Sequence, residues 1–338
     1  MKVLFVSVIL VIVIAIKGQS EATAEWKEYK TKHSKNYNET VDGGKQEKMR
    51  KQVFLNKEAK IKKHNSGNST YKLAHNKLSD RTEEELNQLL GTVLPPLTSK
   101  PRSLISKSGH RNDRKAIRIA ASLDYRNHSC LAAVKNQRSC GSCWAFSAIA
   151  PLEFSKCLKT KRAVVLSEQQ LVDCDTASTN MGCNGGWYAV AWKHLQQVGG
   201  SAKEALYPYT AKKNTCNFCS KCACKIGAKV SSFDYVEAEN ATEMQIALTK
   251  YGPLAVAITV VGSFYSYSSG VYDDPACDGK DVNHGVVVVG WGVLNSINYW
   301  VVRNTWGTNW GIGGYILMKR GVNKCSVETY PAYVVAAA

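Results

Sequence analysis

None of the twelve cysteines in this 338-residue chain precedes Cys130. All fall between Cys130 and Cys325, so one segment can be stapled by disulfides and the long stretch before it cannot. Proline is scarce, at 8 residues, and no tract repeats, which excludes a collagen-like or low-complexity chain. No apolar stretch reaches the ~20 residues that a membrane-spanning helix needs. Acidic residues are few, 27 against 44 Lys and Arg, giving a formal net charge of +17. Such a balance ordinarily points to nucleic acid or an anionic surface. Its distribution argues otherwise, with +2 on residues 1–18, +10 on 19–118 and +5 on 119–338. Most of the excess precedes the cysteine-bearing segment, so no nucleic-acid partner is expected for it.

The start of the chain carries Met1-Lys2, a largely apolar run from Val3 to Ile16, and small residues at Gly18, Ser20 and Ala22. That order reads as a cleaved signal peptide over residues 1–20. It implies the secretory pathway, a lysosomal or extracellular destination, and no stable membrane insertion. Asn38, Asn68, Asn127 and Asn240 stand in Asn-x-Ser/Thr acceptors for glycosylation, in keeping with that route.

Residues 25–65 read as helical, from Trp26, Tyr29, His33 and Tyr37 and then Arg50, Phe54, Ile61 and Asn65, with Gly43-Gly44 as a separator. Leu73 to Ser79 alternates like a short strand, and Thr82 with Glu85 forms a capping box for a further helix. Residues 91–118, with Pro95, Pro96, Pro101 and many basic positions, read as an exposed linker open to proteases. Helices are expected over 143–160 and 186–198. Strands are expected at Leu254 to Val261, Gly285 to Val289, Tyr299 to Val302 and Tyr315 to Met318. The fold class is therefore α+β, with two unlike halves packed together.

The chemistry concentrates around Cys140-Gly141-Ser142-Cys143-Trp144. A cysteine is nucleophilic as thiolate, and a helix N-terminus favours that anion. Gly141-Ser142 precede an apolar helical run, which places Cys143 in its first turn. A base must come from elsewhere in the chain. Of seven histidines, four precede the cysteine-bearing segment, His128 sits in a glycosylation acceptor loop, and His194 sits on the polar face of a helix. His284 remains, 141 residues after Cys143, inside the spacing of about 130–150 for such a pair.

This motif and spacing resemble the papain-like cysteine peptidases, with cathepsin L-like features. The resemblance implies a two-lobed fold, a helical lobe and an antiparallel β-barrel-like lobe, preceded by a helical prodomain. It implies a catalytic set of Cys143, His284 and Asn304, the last in Asn304-Thr305-Trp306-Gly307. Gln137 would be the oxyanion donor, and Trp306 would shield the Asn304–His284 hydrogen bond. Gly185 and Gly186 would bind extended substrate. Trp187, Tyr188, Ala257, Val282 and Gly285 would line the pocket for the second residue before the scissile bond, favouring an apolar or aromatic side chain. Three disulfides are implied, Cys140–Cys183, Cys174–Cys216 and Cys277–Cys325. Cys130, Cys157, Cys219, Cys222 and Cys224 are left without assigned partners. A zinc knuckle at Cys216–Cys224 is the weaker reading of that cluster, because a second ligand pair is lacking; no metal and no cofactor is expected.

The pro-segment resembles the family's inhibitory propeptide at Arg50, Phe54, Ile61 and Asn65, with Gln46 and Lys57 as departures, and again at Asn76 and Asp80. Two further departures lie nearer the chemistry. Arg138 stands where relatives usually carry glycine, and Pro151 interrupts the nucleophile helix. The implied organisation is a signal peptide (1–20), an inhibitory propeptide with linker (21–118) and a peptidase domain (119–338), whose mature N-terminus falls near Ile119 to Asp124. The expected activity is a cysteine endopeptidase made as a zymogen, acting on proteins or peptides through an acyl-enzyme. Its propeptide would be an intramolecular inhibitor and cystatin-like proteins further inhibitory partners. An exopeptidase of the same family is a weaker alternative, since no occluding insert is visible. A catalytically silent binding protein on the same fold is another, against which the intact Cys143, His284, Asn304 and Gln137 argue.

Overall fold

A computed structural model describes residues 22–37, 42–95, 119–176, 179–218 and 226–338. The signal-peptide segment, Asn38, the linker from 96 to 118, and Cys219, Cys222 and Cys224 lie outside the described residues. Among the described residues, no helix is long and apolar enough to cross a membrane.

The pro-segment begins with α1 (22–32) and, after a single 3-10 turn, α2 (Lys45–Asn65). The first helix ends well before Gly43-Gly44, so Tyr37 lies beyond it and stacks on Trp26 at 6.0 Å. Trp26, Tyr29 and Phe54 form the small aromatic core that joins the two helices. The motif residues of α2 tie it to the chain that follows. Arg50 pairs with Glu85 and donates to the Asp80 carbonyl at 3.0 Å. Lys57, one of the departures, donates to the Leu78 carbonyl at 3.2 Å, and Asn65 brackets Leu73 with two backbone bonds. Asp80 in turn receives Lys35 at 2.8 Å and the Tyr37 hydroxyl.

Strand β1 (Tyr71–Leu73) starts two residues earlier than the alternation suggests and stops where that pattern begins. The reason is local turn chemistry. Asn76 Oδ1 accepts the Leu78 N–H and Ser79 Oγ accepts the Asn76 N–H, which takes residues 77–80 out of extended structure. The short helix α3 (Glu83–Asn87) carries the full capping box, with both the Thr82 and the Glu85 side chains bonded to backbone N–H groups.

The second half contains β2 (Leu123–Asp124), α4 (Cys143–Thr160), α5 (Glu168–Cys174) and α6 (Tyr188–Gln197). A two-stranded ribbon follows, β3 (Ser201–Ala202) with β4 (Ile226–Ala228), then β5 (Val230–Tyr235) and α7 (Ala241–Tyr251). The chain finishes through β6 (Leu254–Ile258), β7 (Tyr267–Tyr272), β8 (His284–Leu294), β9 (Ile297–Arg303), β10 (Tyr315–Lys319) and β11 (Ala332–Ala336). These strands make a sheet in the order β1-β7-β10-β9-β8-β6-β11-β5, with β2 added to β8. The pairing is antiparallel except between β7 and β10. The pro-segment thus supplies an edge strand to the sheet of the following half, through Tyr71↔Gly270 and Leu73↔Tyr267.

Two large apolar cores stand out among the described residues. One gathers α4 and α6 around Trp144, Leu152 and Trp192; the other lies between β6, β8, β9 and α7 around Val286, Trp300 and Leu248. Helix α4 lies against β8 and β11, so the first residue of α4 meets the first residues of β8 at the seam between the halves. Pro151 does not interrupt α4. The helix runs unbroken through it, the ring being buried where a side chain without an N–H still fills the core.

Among the described residues, four disulfides join Cys130–Cys157, Cys140–Cys183, Cys174–Cys216 and Cys277–Cys325. The first clips the chain before the nucleophile loop to the last turns of α4, closing a separation of 27 residues. Replacing both Cys130 and Cys157 by serine is expected to lower stability by about 3.5 kcal/mol, on the chain-entropy scale for a loop of that length. Urea denaturation of the oxidised full-length protein measures it, with an unchanged midpoint as the contrary result.

Candidate active site

Cys143 is the first residue of α4 and the free cysteine among the described residues. The Ser142 hydroxyl does not cap the helix. It is engaged with the Tyr209 hydroxyl at 2.6 Å, so the first-turn N–H groups and the helix dipole face the sulfur without a side-chain acceptor in between. The Gly285 N–H, at the start of β8, donates to Sγ at 3.3 Å.

His284, the residue before that donor, is fully buried, and its Nε2 meets Asn304 Oδ1 at 2.8 Å. Its Nδ1 has no hydrogen-bond partner and is the nitrogen left free for proton exchange. Asn304 is held in turn, because the Thr305 N–H donates to the same Oδ1 at 2.7 Å. The Trp306 ring lies 4.9 Å from the imidazole and is itself stacked on Tyr265 at 5.3 Å. Gln137, also fully buried, points Nε2 to the carbonyls of Cys140 and Leu89, each at 2.8 Å, while its Oε1 accepts the Thr305 hydroxyl.

Burial sets the charge state. It pushes the Cys143 thiol up, against the opposing Gly285 N–H bond, and it pushes the His284 imidazole down to about 4, against the Asn304 bond. Both shifts disfavour the charged forms in this covered state.

The cover is the pro-segment. Leu89 to Val93 crosses the site, with the Leu89 carbonyl on Gln137, Gly91 against Gly141, Thr92 Oγ1 3.8 Å from Cys143 Sγ, and Val93 at Gly186. The N–H groups of Gly91 and Thr92 both donate to the Asn283 carbonyl, at 3.1 and 3.2 Å. On the other wall Gly186 N–H donates to the Gly91 carbonyl and Val93 N–H to the Gly186 carbonyl, both at 3.0 Å, as a parallel bridge. Residues 91–93 are therefore not the start of an exposed linker. Pro95 lies outside regular structure, but composition carries no sign that the preceding residues pair with a distant strand edge.

The segment 119–335 matches the family described as Papain family cysteine protease. The chain belongs to the papain family of cysteine proteases. Residues 26–86 match the Cathepsin propeptide inhibitor domain (I29), so this is a cathepsin L-like endopeptidase made as a proenzyme. Cathepsin L of Sarcophaga peregrina is 36% identical over 340 residues, spanning 96% of this chain and 98% of that protein. Digestive cysteine proteinase 3 of Homarus americanus is 37% identical, over 92% and 94%. Among solved structures, the digestive procathepsin L2 proteinase from Tenebrio molitor larval midgut superposes with a TM-score of 0.84 at 31% identity, covering 93% of this chain and 99% of that one.

In this papain-family chain the other residues singled out from the sequence divide by environment. Gly185 and Gly186 form the cleft wall just described, and the Cys140–Cys183 bridge fastens that wall to the nucleophile loop. Trp187, Tyr188, Ala257 and Val282 share one cluster with Tyr330 at its edge. Trp187 and Tyr188 are fully buried and stacked at 4.6 Å; the indole N–H donates to Tyr235 Oη at 2.6 Å and the Tyr188 hydroxyl donates to the Tyr330 carbonyl. Asn68 and Asn127 are exposed, whereas Asn240 caps α7 through the Glu243 N–H at 3.1 Å.

Sequence reading passed over several residues that shape the site. Tyr209 holds the Gln137 carbonyl at 2.8 Å as well as Ser142, Asn283 anchors the pro-segment, and Thr305 fixes Gln137. Only Thr305, inside a quoted motif, carried a local signal. Arg138 has a φ of 53°, a left-handed conformation that glycine adopts freely and that costs an L side chain about 1 kcal/mol.

Proposed function

We propose that the protein hydrolyses peptide bonds by acyl transfer at Cys143, His284 and Asn304, and that its own Leu89–Val93 segment holds it latent until the linker is cut. The observation that carries this is the convergence on one buried point of a thiol at a helix N-terminus, an imidazole fixed by Asn304 with one nitrogen free, and the Gln137 amide N–H.

In the uncovered enzyme the Cys143 proton moves to His284 Nδ1. The thiolate attacks the substrate carbonyl carbon, forming the S–C bond and an oxyanion held by Gln137 Nε2 and the Cys143 N–H. Collapse breaks the C–N bond as His284 returns its proton to the leaving amine. Water, deprotonated by neutral His284, then hydrolyses the thioester and restores the thiolate. The orphaned Nδ1 supports this tautomer assignment, since Nε2 is already committed to Asn304.

Latency has two supports. The Leu89 carbonyl occupies the Gln137 donor, and the cover desolvates the catalytic pair so that the charged Cys–His form is disfavoured. The apolar cluster of Trp187, Tyr188, Ala257 and Val282 supports a preference for an apolar or aromatic second residue before the scissile bond. A peptide-library profile dominated by Arg or Glu there would defeat that preference. The proposed organisation is a leader over 1–20, a removable inhibitor over 21–118 and a peptidase over 119–338. Its disulfides fit passage through the secretory pathway, with Asn68 and Asn127 exposed to glycosylation.

The test is labelling of the acid-activated protein with an epoxide cysteine-protease inhibitor, together with product analysis of long peptides. Modification of Cys143 and cleavage at internal bonds are expected. Absence of labelling would remove the peptidase reading, and release of single terminal residues would make it an exopeptidase.

A further inference from the structure

Arg138 follows the Gln137 donor directly, and its strained backbone is held by an N–H bond to Asn136 Oδ1 at 2.9 Å. The side chain is exposed, lies 5.6 Å from the Tyr209 ring centroid, and donates through Nη2 to the Tyr209 carbonyl at 2.9 Å. Because the Tyr209 hydroxyl also holds the Gln137 carbonyl, the guanidinium is anchored to the scaffold that positions Gln137. One N–H is spent on that carbonyl and the others remain available. Among the described residues no carboxylate pairs with it. An unfavourable φ kept for a charged, unpaired side chain beside a reaction centre is a pointer to function.

The pro-segment shows which end of the cleft this is. It passes from Leu89 at Gln137, over Thr92 at Cys143, to Val93 at Gly186, so Gln137 and the Gly185–Gly186 wall lie on opposite sides of the nucleophile. With that wall holding the acyl half of a substrate, the Gln137 side receives the leaving half. There a cavity of about 90 Å³ is bounded by Arg138, Trp306 and Asn309 and, from the pro-segment, by Lys77, Arg81 and Leu89. Cations meet there from both sides, and among the described residues no acidic side chain lines it. Once the pro-segment leaves, Arg138 is the charge that remains.

We propose that Arg138 makes the leaving-group side of the cleft cationic and selects Asp or Glu within the first two residues after the scissile bond. This rests on the peptidase reading above. The Tyr209 carbonyl and ring hold the guanidinium in place, so little ordering is needed when a carboxylate arrives.

The experiment compares kcat/KM of the acid-activated enzyme on internally quenched peptides that share one acyl half and differ only by Glu, Gln or Lys at the second position after the scissile bond, at pH 6. Glu is expected to exceed Lys about fivefold at low ionic strength, the scale of a partly exposed ion pair. The ratio should shrink toward 1 in high salt. Arg138→Gly should bring it to about 1, and Arg138→Glu should invert it in favour of Lys, a gain that misfolding cannot produce. A wild-type ratio of 1 or below, or a Glu preference that survives Arg138→Gly, overturns the assignment while leaving the peptidase intact. Failure to hydrolyse any of the peptides, with no epoxide labelling of Cys143, removes the peptidase reading itself.

Discussion

Cys143→Ala will lower kcat/KM on any peptide substrate by about five orders of magnitude, the scale on which removal of a catalytic nucleophile acts in comparable triads. Cys143 is the free thiol among the described residues, and the Thr92 hydroxyl, 3.8 Å from its sulfur, belongs to the segment that must leave. The substitution removes one sulfur at a fully buried position whose backbone already begins α4, so the fold should persist. Steady-state kinetics on the processed variant, with circular dichroism to confirm folding, make the measurement. Residual activity within a hundredfold of wild type would show that the thiol is not the nucleophile.

The second large effect lies in the pro-segment. A Cβ built on Gly91 would stand 1.9 Å from the Gly141 carbonyl oxygen and 2.8 Å from the Gly141 Cα. Both neighbours are backbone, in a loop tied by the Cys140–Cys183 bridge, so the clash cannot be relieved by turning a side chain. Gly91→Leu must therefore lift the segment away from Cys143. An overpacking cost of about 3 kcal/mol corresponds to about a hundredfold larger open fraction. The readout is the rate at which an epoxide inhibitor labels Cys143 in the unprocessed proenzyme at neutral pH, which should rise by that factor. A variant labelled as slowly as the parent would mean that latency does not depend on this contact.

The two experiments probe parts of the molecule that differ in legibility. Cys143, His284, Asn304 and Gln137, to which the proposed mechanism assigns the reaction, each sit in a short local motif, because the requirements on each are local: a helix start for a thiolate, a strand start for a base, a turn for an orienting amide. Helix α4 was likewise readable to its ends, from an apolar run that begins at Cys143 and ends before Lys161. The strands of the second half were readable as β-branched runs, although β8 extends to Leu294, well past the apolar stretch, because pairing with β9 carries it on. The helical spacing of Arg50, Phe54, Ile61 and Asn65 identified α2, and Phe54 is one of its core residues.

Elsewhere local pattern and tertiary pairing disagreed, and pairing decided. Residues 73–79 alternate like a strand but turn at Asn76, whose side chain spends its hydrogen bonds on Leu78 and on the Tyr265 carbonyl across the interface. Pro151 looks like a helix break, yet the packing of α4 against the sheet holds the helix through it. Cys130 and Cys157 could not be paired from their positions in the chain, since a disulfide depends on Cα atoms coming to 5.4 Å and not on spacing.

The sequence by itself determined the family, with a cathepsin-type propeptide preceding the cysteine-bearing peptidase segment, because each is carried by residue types within a few positions of one another. Only the tertiary structure decided that Leu89 to Val93 lies over Cys143, that burial pushes its thiol up and the His284 imidazole down, and that Arg138 is anchored on Tyr209 beside Gln137. These follow from what a residue meets across the fold. Desolvation and backbone pairing act through space between segments far apart in the chain, and no local pattern records them.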